Sequence, residues 1–445
     1  MFGFPSSKLS QLFSNMEVIM DHQVKIIPEY RYFKLPFLPE TRILQRETLL
    51  KATTLQKKKR GLRVFIKELS FVNEVLTAKV CVEEEPAEYI FFRVTASYLY
   101  ISCSVDTDET YLSAYASLYL DNLLLYRDEM DFSRYYYPDT FDEDTGKSNY
   151  LKISRKDNCL SIMLKQRYQN LFKPGDRLPP IHSSATKRTA KPPKLLEDLC
   201  PAKTGLTIVY CFLDAQNFNL TIDDCKEIEL LVPMLVYFNS NSGALTSLIS
   251  YITPRSTEPH LDLMDGQIHL NSICAQMWLN SKHHLENTVS PQKAGDYMSR
   301  LRRMFDFWEQ VLPLLCFTNS LQYCPYYHLR YVKGKPKKMN LCSCTFSAEI
   351  PKLVLLLKDK GDYFVLELKF SIYAQRLNFY AGLTSSLFIA SNTEPKHFYL
   401  LGCIEDAELY NYFKKIDFRL PILKRHYNSY FASFAERLNG DLVLC

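Results

Sequence analysis

The sequence predicts an α+β protein in which a small β-meander with one helix precedes a larger mixed domain. Short strand-like runs follow one another between Leu62 and Cys103, whereas later parts of the chain mix strand-like runs with stretches of helical periodicity. Antiparallel hairpins and C-terminal helices are expected in the second half. At 445 residues the chain is too long for a single core, so we expect more than one domain.

The composition is that of a globular protein, with 47% hydrophobic and 23% charged residues. A formal charge of +5 identifies a nucleic-acid partner only if the positive residues cluster. Thirteen irregularly spaced cysteines and an N-terminus without a secretory signal favour reduced thiols and a cytoplasmic location. No uncharged apolar run reaches the ~18 residues of a membrane span, so we expect no membrane partner.

Five segments are predicted along the chain. Residues 1–49 form an N-terminal segment, residues 50–130 a β/α module, and residues 131–172 an extension with a further β-segment. Residues 173–203 are rich in Pro and in basic residues, which is typical of a linker. Residues 204–445 form the larger α+β domain.

The β/α module is predicted from two periodicities. The runs LRVFIKELSF, LTAKVCVE, YIFFRV and YLYISC are separated by polar breaks, which favours an antiparallel meander. A helix is expected to follow, with Ser113 or Thr110 as its N-cap. Its apolar side is predicted to contain Tyr115, Leu118, Tyr119, Asn122, Leu123 and Tyr126.

In the second domain, GLTIVYCFLDAQ and IELLVPMLVYF indicate buried strands, or a strand followed by a helix. KLVLLLKDKGDYFVLELKF predicts a hairpin that turns at residues 359–362, and LFIASNTEPKHFYLL predicts another. Residues 297–315 predict a helix with one buried face. That face contains Tyr297, Leu301, Met304, Phe305, Trp308 and Leu312. Two helices are expected to close the chain, the last with Tyr427, Phe431, Phe434 and Leu438 on one side and a stop at Gly440.

Residues 101–120, ISCSVDTDETYLSAYASLYL, follow the order of a small zinc module: a strand, an acidic turn and a helix. A SWIM-type zinc finger takes its ligands from Cys-x-Cys and Cys-x-His, two from the strand end and two from the helix. The matching positions are Cys103, Val105, Ser113 and Tyr115. Because three of the four ligands are replaced, this degenerate site is expected to bind no metal, and no cofactor is expected elsewhere.

The region from Ser347 to Leu438 resembles the N-terminal regulatory region of Swi/Snf-type ATP-dependent DNA helicases of Bacteroidetes-like bacteria. The resemblance lies in EIPKLVLLLKDKGDYFVLELKF, HFYLLGCIEDAELYNYFKK and KRHYNSYFASFAERL. That family also carries a SWIM-like finger near its N-terminus. The resemblance implies a regulatory protein without the helicase motor, since no GxxxxGK[ST] loop occurs.

Two further functions remain open from the residues alone. A metal-dependent nuclease of the PD-(D/E)xK type would use Glu367 and Lys369, although no partner acid is evident on a separate strand. On an alternating strand these two residues are equally explained as outward-facing charges. The other alternative is an interaction scaffold with no nucleic-acid role.

Three basic clusters favour non-specific contacts with the DNA backbone. The residues concerned are Lys57, Lys58, Lys59 and Arg60; Lys187, Arg188 and Lys191; and Lys333, Lys335, Lys337 and Lys338. We therefore expect a non-catalytic accessory protein that binds DNA weakly or docks onto a protein partner.

Overall fold

The computed structural model describes most of the chain. The described residues are 31–53, 63–83, 85–105, 107, 109–178, 205–215, 228–238, 245–254, 263, 265–281, 294–316, 318, 320–327, 332, 334–373, 375–377, 379, 383, 385–437 and 442–444. The chain divides into two compact units. Unit 1 comprises residues 1–178, 360–364 and 420–432, and unit 2 comprises residues 179–359, 365–419 and 433–445. Helices and several sheets confirm the predicted α+β class.

Unit 1 is built on a five-stranded antiparallel sheet. Its strands are β1 (Phe33–Pro36), β3 (Val64–Val72), β4 (Val75–Val82), β5 (Glu88–Val94) and β6 (Tyr98–Cys103). The strand order is β1-β6-β5-β4-β3, so four strands pair in chain order and the predicted meander is confirmed. The sequence analysis did not predict β1, which adds a fifth strand by pairing with β6.

Two helices and two small ladders complete the early part of unit 1. The helices are α1 (Arg46–Ala52) and α2 (Ala114–Leu123). In one ladder β2 (Ile43–Gln45) pairs with β7 (Glu129–Asp131), and the other ladder is the hairpin of β8 (Leu151–Lys156) and β9 (Cys159–Leu164). The cap of α2 is Ser113, whose Oγ accepts a hydrogen bond from Ala116 N at 3.1 Å. Tyr126, predicted on this helix, is 94% exposed with a left-handed φ of 67°. The prediction was wrong there because the helix ends at Leu123.

The core of unit 1 lies on one side of the five-stranded sheet. Its buried side chains come from every segment predicted before the linker. They include Leu35 and Leu49; Leu76, Phe92 and Tyr119; and Phe132, Tyr135 and Leu151. Segments 1–49, 50–130 and 131–172 therefore share one hydrophobic core and belong to one unit.

Two segments from much later in the chain also belong to unit 1. Phe172 N donates a hydrogen bond to Pro421 O at 2.8 Å. The rings of Tyr168 and Tyr363 lie 4.9 Å apart. Residues 360–364 and 420–432 were predicted within domain 204–445, and local patterns carry no information on such distant pairing. Of the predicted linker, 173–178 lies in unit 1, and 179–203 lies outside the described residues.

Unit 2 contains a seven-stranded sheet. Its strands are β10 (Gly205–Ala215), β11 (Leu230–Phe238), β12 (Leu245–Tyr251), β13 (Gln322–Tyr327), β14 (Cys342–Ser347), β18 (Phe388–Ala390) and β19 (Lys396–Leu400). The strand order is β12-β11-β10-β13-β14-β19-β18. β10 and β11 pair antiparallel, which decides the open alternative in favour of two strands. The hairpin predicted at β18 and β19 is confirmed.

The helices of unit 2 that precede β13 are α3 (Asp265–Ser281) and α4 (Ala294–Leu315). All six residues predicted on the inner face of α4 are buried, which confirms that prediction. Trp308, fully buried in α4, packs edge-on against Phe388 with 4.8 Å between ring centroids. Its Nε1 donates to the carbonyl oxygen of Glu229 at 3.3 Å.

A second sheet of unit 2 contains the predicted hairpin. Its strands are β15 (Lys352–Asp359), β16 (Tyr363–Ile372), β17 (Gln375–Arg376) and β21 (Leu442–Leu444), in the order β17-β16-β15-β21. The later helices and strands are α5 (Ile404–Lys415), β20 (Arg419–Leu423), α6 (Lys424–His426), a π-helical turn (Tyr427–Phe431) and α7 (Ala432–Arg437). Of these, residues 420–432 belong to unit 1, as do the first two residues of β16. The expected C-terminal helices are present, and a short strand that was not predicted, β21, follows α7 and pairs with β15. Leu438 and Gly440 lie outside the described residues.

Candidate nucleic-acid interface

The four positions that match a SWIM-type site lie close together. Burial raises the pKa of the Cys103 thiol, while hydrogen bonds from the Ser113 side chain and the Val105 backbone oppose that rise. Tyr115 interacts electrostatically with Cys103, and its hydroxyl donates to Glu85 Oε2 at 2.7 Å. A thiol, a hydroxyl, a phenol and an aliphatic side chain therefore occupy the four positions.

This arrangement offers little to a metal ion. Of the four side chains, only that of Cys103 is a usual zinc ligand. Over the part of the chain that the structure describes, no group of three His, Cys, Asp or Glu side chains is placed to hold a metal ion. The Ser113 hydroxyl is committed to the first turn of α2, where it caps the helix.

Most of the predicted basic residues lie outside the described residues. This applies to Lys57, Lys58, Lys59 and Arg60, to Lys187, Arg188 and Lys191, and to Lys333. Lys335, Lys337 and Lys338 are described and exposed on the connection between β13 and β14 in unit 2. A contact between these three lysines and nucleic acid stays a prediction.

Glu367 and Lys369, the pair on which the nuclease hypothesis depends, lie on β16. Glu367 Oε2 is bound by Lys358 Nζ at 2.8 Å and by Lys369 Nζ at 3.4 Å. Burial acts to raise the pKa of Glu367, but the two lysines outweigh it and the net shift is downward. The negative charge of Glu367 is thus balanced by two lysines of the same hairpin. This ion-pair network is a structural role that explains both Glu367 and Lys369.

A surface that was not predicted lies on the side of the five-stranded sheet that faces away from the core. Alternate residues of each strand point to opposite faces. In β4, Leu76, Ala78 and Val80 point into the core, whereas Thr77 and Lys79 lie on the other side and are partly exposed. We call this second side the open face.

Two rows of the open face combine positive charges with aromatic rings. In one row, Lys67 of β3 is opposite Lys79 of β4, which is opposite Tyr89 of β5. In the other row, Arg93 of β5 is opposite Tyr100 of β6, which is opposite Lys34 of β1. The rows lie four residues apart along β5, about 13 Å at the usual rise of a strand.

Further rings on the open face reach solvent. Phe65 of β3 is 65% exposed and Tyr98 of β6 is 43% exposed. The ring of Tyr100 lies 6.4 Å from that of Tyr98, and Lys34 Nζ lies 5.5 Å from the centre of the Tyr100 ring. Phe91, between the two rows, is buried and is not among the accessible rings.

Arg93, one of the cations of the open face, forms an ion pair with the Glu74 carboxylate. Both Nε and Nη2 of Arg93 donate to Glu74 Oε2, at 3.1 and 2.9 Å. Burial raises the pKa of Glu74, and the charge of Arg93 opposes that rise. Arg93 is therefore fixed in orientation, while Lys34 and Lys67 extend into solvent.

The open face has a signal in the sequence. Aromatic and basic residues recur at every second position in VFIKELSF, EYIFFRV and YLYISC, and we assigned them only to a half-buried meander. The alternation predicts two faces, but deciding which rings line up across strands requires the register.

None of the described helices is long and apolar enough to cross a membrane. The cysteines that the structure describes are unpaired thiols. In comparisons with known proteins, the sequence matches no family model, and no curated protein or solved structure matches it significantly.

Proposed function

We propose that this chain is a non-catalytic, cytoplasmic nucleic-acid-binding protein that holds unpaired bases on the open face of unit 1. The observation that carries the proposal is the pair of rows in which cations and rings lie side by side on neighbouring strands. Lysines attract the phosphates of a strand, and aromatic side chains stack on its bases. A sheet that displays both is a common surface for single-stranded nucleic acids.

The surface chemistry favours single strands over folded protein partners. A protein-docking face is depleted of lysine at its centre, whereas Lys67 and Lys79 lie side by side on this sheet. Stacking requires bases that are not paired, so the exposed rings of Phe65 and Tyr98 would be of little use to a duplex.

The resemblance to helicase regulatory regions adds a role to this binding activity. A motor-less relative of such a region would hold a single strand for a partner enzyme, or dock onto that enzyme. The order of the strand hairpins and the EDAE-containing helix α5 supports this part of the proposal. The pairing of Glu367 with two lysines gives the nuclease alternative no support.

The test is fluorescence anisotropy with a labelled oligo(dT) strand at about 50 and 200 mM salt. We expect binding that weakens steeply with salt. Replacing Phe65 and Tyr98, each with Ala, should remove about 1–3 kcal/mol per stacked base, on the order of 5- to 100-fold in affinity. Tyr126→Ala is the matched control, since Tyr126 is exposed but lies outside the open face.

Equal losses for the open-face variants and for Tyr126→Ala would contradict the proposal, as would an absence of oligo(dT) binding at the lower salt. Phe65→Tyr keeps a ring and should retain binding. In the absence of binding, the interaction-scaffold hypothesis would be preferred.

A further inference from the structure

The hairpin of β8 and β9 forms a separate two-stranded sheet beside β3, and we call it the ribbon. It turns at Asp157, whose φ of 54° is left-handed, and at Asn158. The register pairs Lys152 with Met163, Ser154 with Ser161 and Lys156 with Cys159.

The ribbon is anchored through its inner side. Leu160 and Ile162 pack against the core of unit 1. The Glu68 carboxylate of β3 accepts a hydrogen bond from Leu160 N, and Asn158 O accepts one from Glu68 N at 2.8 Å. Arg155 Nη2 donates to the carbonyl oxygen of Leu69. The ribbon is therefore held in place before any ligand arrives.

Its outer side is positively charged and lacks acidic residues. The outer positions are Lys152, Ser154, Lys156, Cys159, Ser161 and Met163, and the extended backbone continues to Lys165. Lys152, Lys156 and Lys165 are exposed. The nearest acid in sequence, Asp157, lies in the turn. The two serines form the central pair of this side.

We propose that the ribbon is a second nucleic-acid site, which docks into the major groove of duplex DNA. A two-stranded β-ribbon fits that groove, which is about 12 Å wide. The three lysines would contact phosphates at the groove edges. The central serines would face the bases, where a hydroxyl can donate or accept without strong sequence preference.

Duplex DNA is the ligand that this chemistry fits best. The ribbon's outer side presents no aromatic ring, so it offers no stacking surface to unpaired bases. The major groove of duplex RNA is deep and narrow, and side chains cannot read it. This site goes beyond the proposed function, which concerns unpaired bases on the open face.

The experiment measures anisotropy of a labelled 16-base-pair DNA duplex with the full chain and with the triple variant Lys152→Ser, Lys156→Ser and Lys165→Ser. Loss of three phosphate contacts should weaken duplex binding at least about tenfold at low salt and reduce the salt slope by about 2.7. Oligo(dT) binding should be unchanged. The matched control removes three positive charges elsewhere in unit 1: Arg46→Ser, Arg127→Ser and Lys147→Ser, all exposed.

Equal weakening by the control variant would overturn the proposal, because net charge alone would then explain the effect. Equal affinity for a duplex RNA of the same length would overturn the groove assignment. Failure of oligo(dT) binding with duplex binding intact would contradict only the proposed function, so the two proposals fail separately.

Discussion

Lys67 and Lys79 lie directly opposite each other on the open face, in register across β3 and β4. Like charges at directly opposed positions destabilise a sheet. A polyanion bound to the open face would screen this repulsion. The pair of lysines therefore lowers the stability of the free protein slightly and raises its affinity for a polyanion.

Lys79→Gln should therefore stabilise the protein while weakening its binding. We expect the free energy of unfolding to rise by a few tenths of a kcal/mol, more at low salt than at high salt, because exposed charges are screened. The salt slope of oligo(dT) binding should fall by about 0.7, the value for one phosphate contact on a single strand. Urea unfolding and anisotropy measure the two effects.

Lys147→Gln is the control for this variant, since Lys147 is exposed but lies on a loop and not on a strand of the open face. A loss of stability in Lys79→Gln would show that Lys67 and Lys79 do not repel each other. An unchanged salt slope would remove Lys79 from the interface.

Glu229 anchors a loop of unit 2 and is 2% exposed. Its Oε1 accepts hydrogen bonds from Ser385 Oγ at 2.6 Å, Ser386 N at 3.0 Å and Leu387 N at 2.6 Å. Glu229→Ala would remove the acceptor of all three buried donors, and only Leu387 N would keep a longer bond, to Ser385 Oγ at 3.2 Å. Each buried donor left without a partner costs about 1–3 kcal/mol. We expect a loss of about 3 kcal/mol or more in the free energy of unfolding.

Glu229→Gln is the matched comparison, because the amide retains an acceptor oxygen of the same reach. Its loss of stability should be clearly smaller. If the Ala and Gln variants unfold at the same urea concentration, the hydrogen bonds to this carboxylate do not anchor the loop.

His426 predicts a pH dependence of stability. Its side chain is 2% exposed, and its Nε2 lies 3.1 Å from Asp139 Oδ2. Burial lowers the pKa of His426, and although Asp139 opposes this, the net shift is downward. The unfolded chain therefore binds the proton more readily than the folded protein.

The stability due to neutral His426 is thus fully present above the ordinary histidine pKa of about 6.5. It is lost as the pH falls through the lower pKa of the folded state. The free energy of unfolding of the wild type and of His426→Gln is measured with urea between about pH 7.5 and 5. It should fall less steeply with falling pH in the variant. Burial also lowers the pKa of His397, so only the difference between the two proteins isolates His426. Parallel pH profiles would contradict this prediction.

The degenerate zinc site predicts a gain of function. The Ser113 side chain, the Val105 backbone and Tyr115 all interact with Cys103, at the end of β6 and the start of α2. Val105→Cys, Ser113→Cys and Tyr115→His, together with the native Cys103, would provide three thiolates and one imidazole, a usual ligand set for structural zinc. We expect the triple variant to bind one zinc ion per chain, measured by competition with a chromophoric chelator.

The same triple variant with Cys103→Ser added should bind zinc much more weakly. Losing the Ser113 cap costs about 1 kcal/mol, which bound zinc should more than offset. No zinc uptake by the triple variant would count against the resemblance to a SWIM-type finger.

Several elements were predictable because their information is local. The strands of the meander, the Ser113 cap, the buried face of α4 and the hairpin of β15 and β16 all follow from periodicity and capping chemistry. Strands such as β1 and β21 were not predicted, since each forms by pairing with a partner far away in the chain. The inclusion of residues 360–364 and 420–432 in unit 1 has the same cause.

The sequence by itself determined the fold class, most strand and helix positions and the presence of a two-faced sheet, because alternation and helical period are properties of neighbouring residues. Only the tertiary structure decided which residues share a surface. The register aligns Lys67, Lys79 and Tyr89 on three different strands, and packing of the core against the opposite side leaves this row accessible. Such an arrangement depends on contacts between distant residues, and a one-dimensional pattern does not contain them.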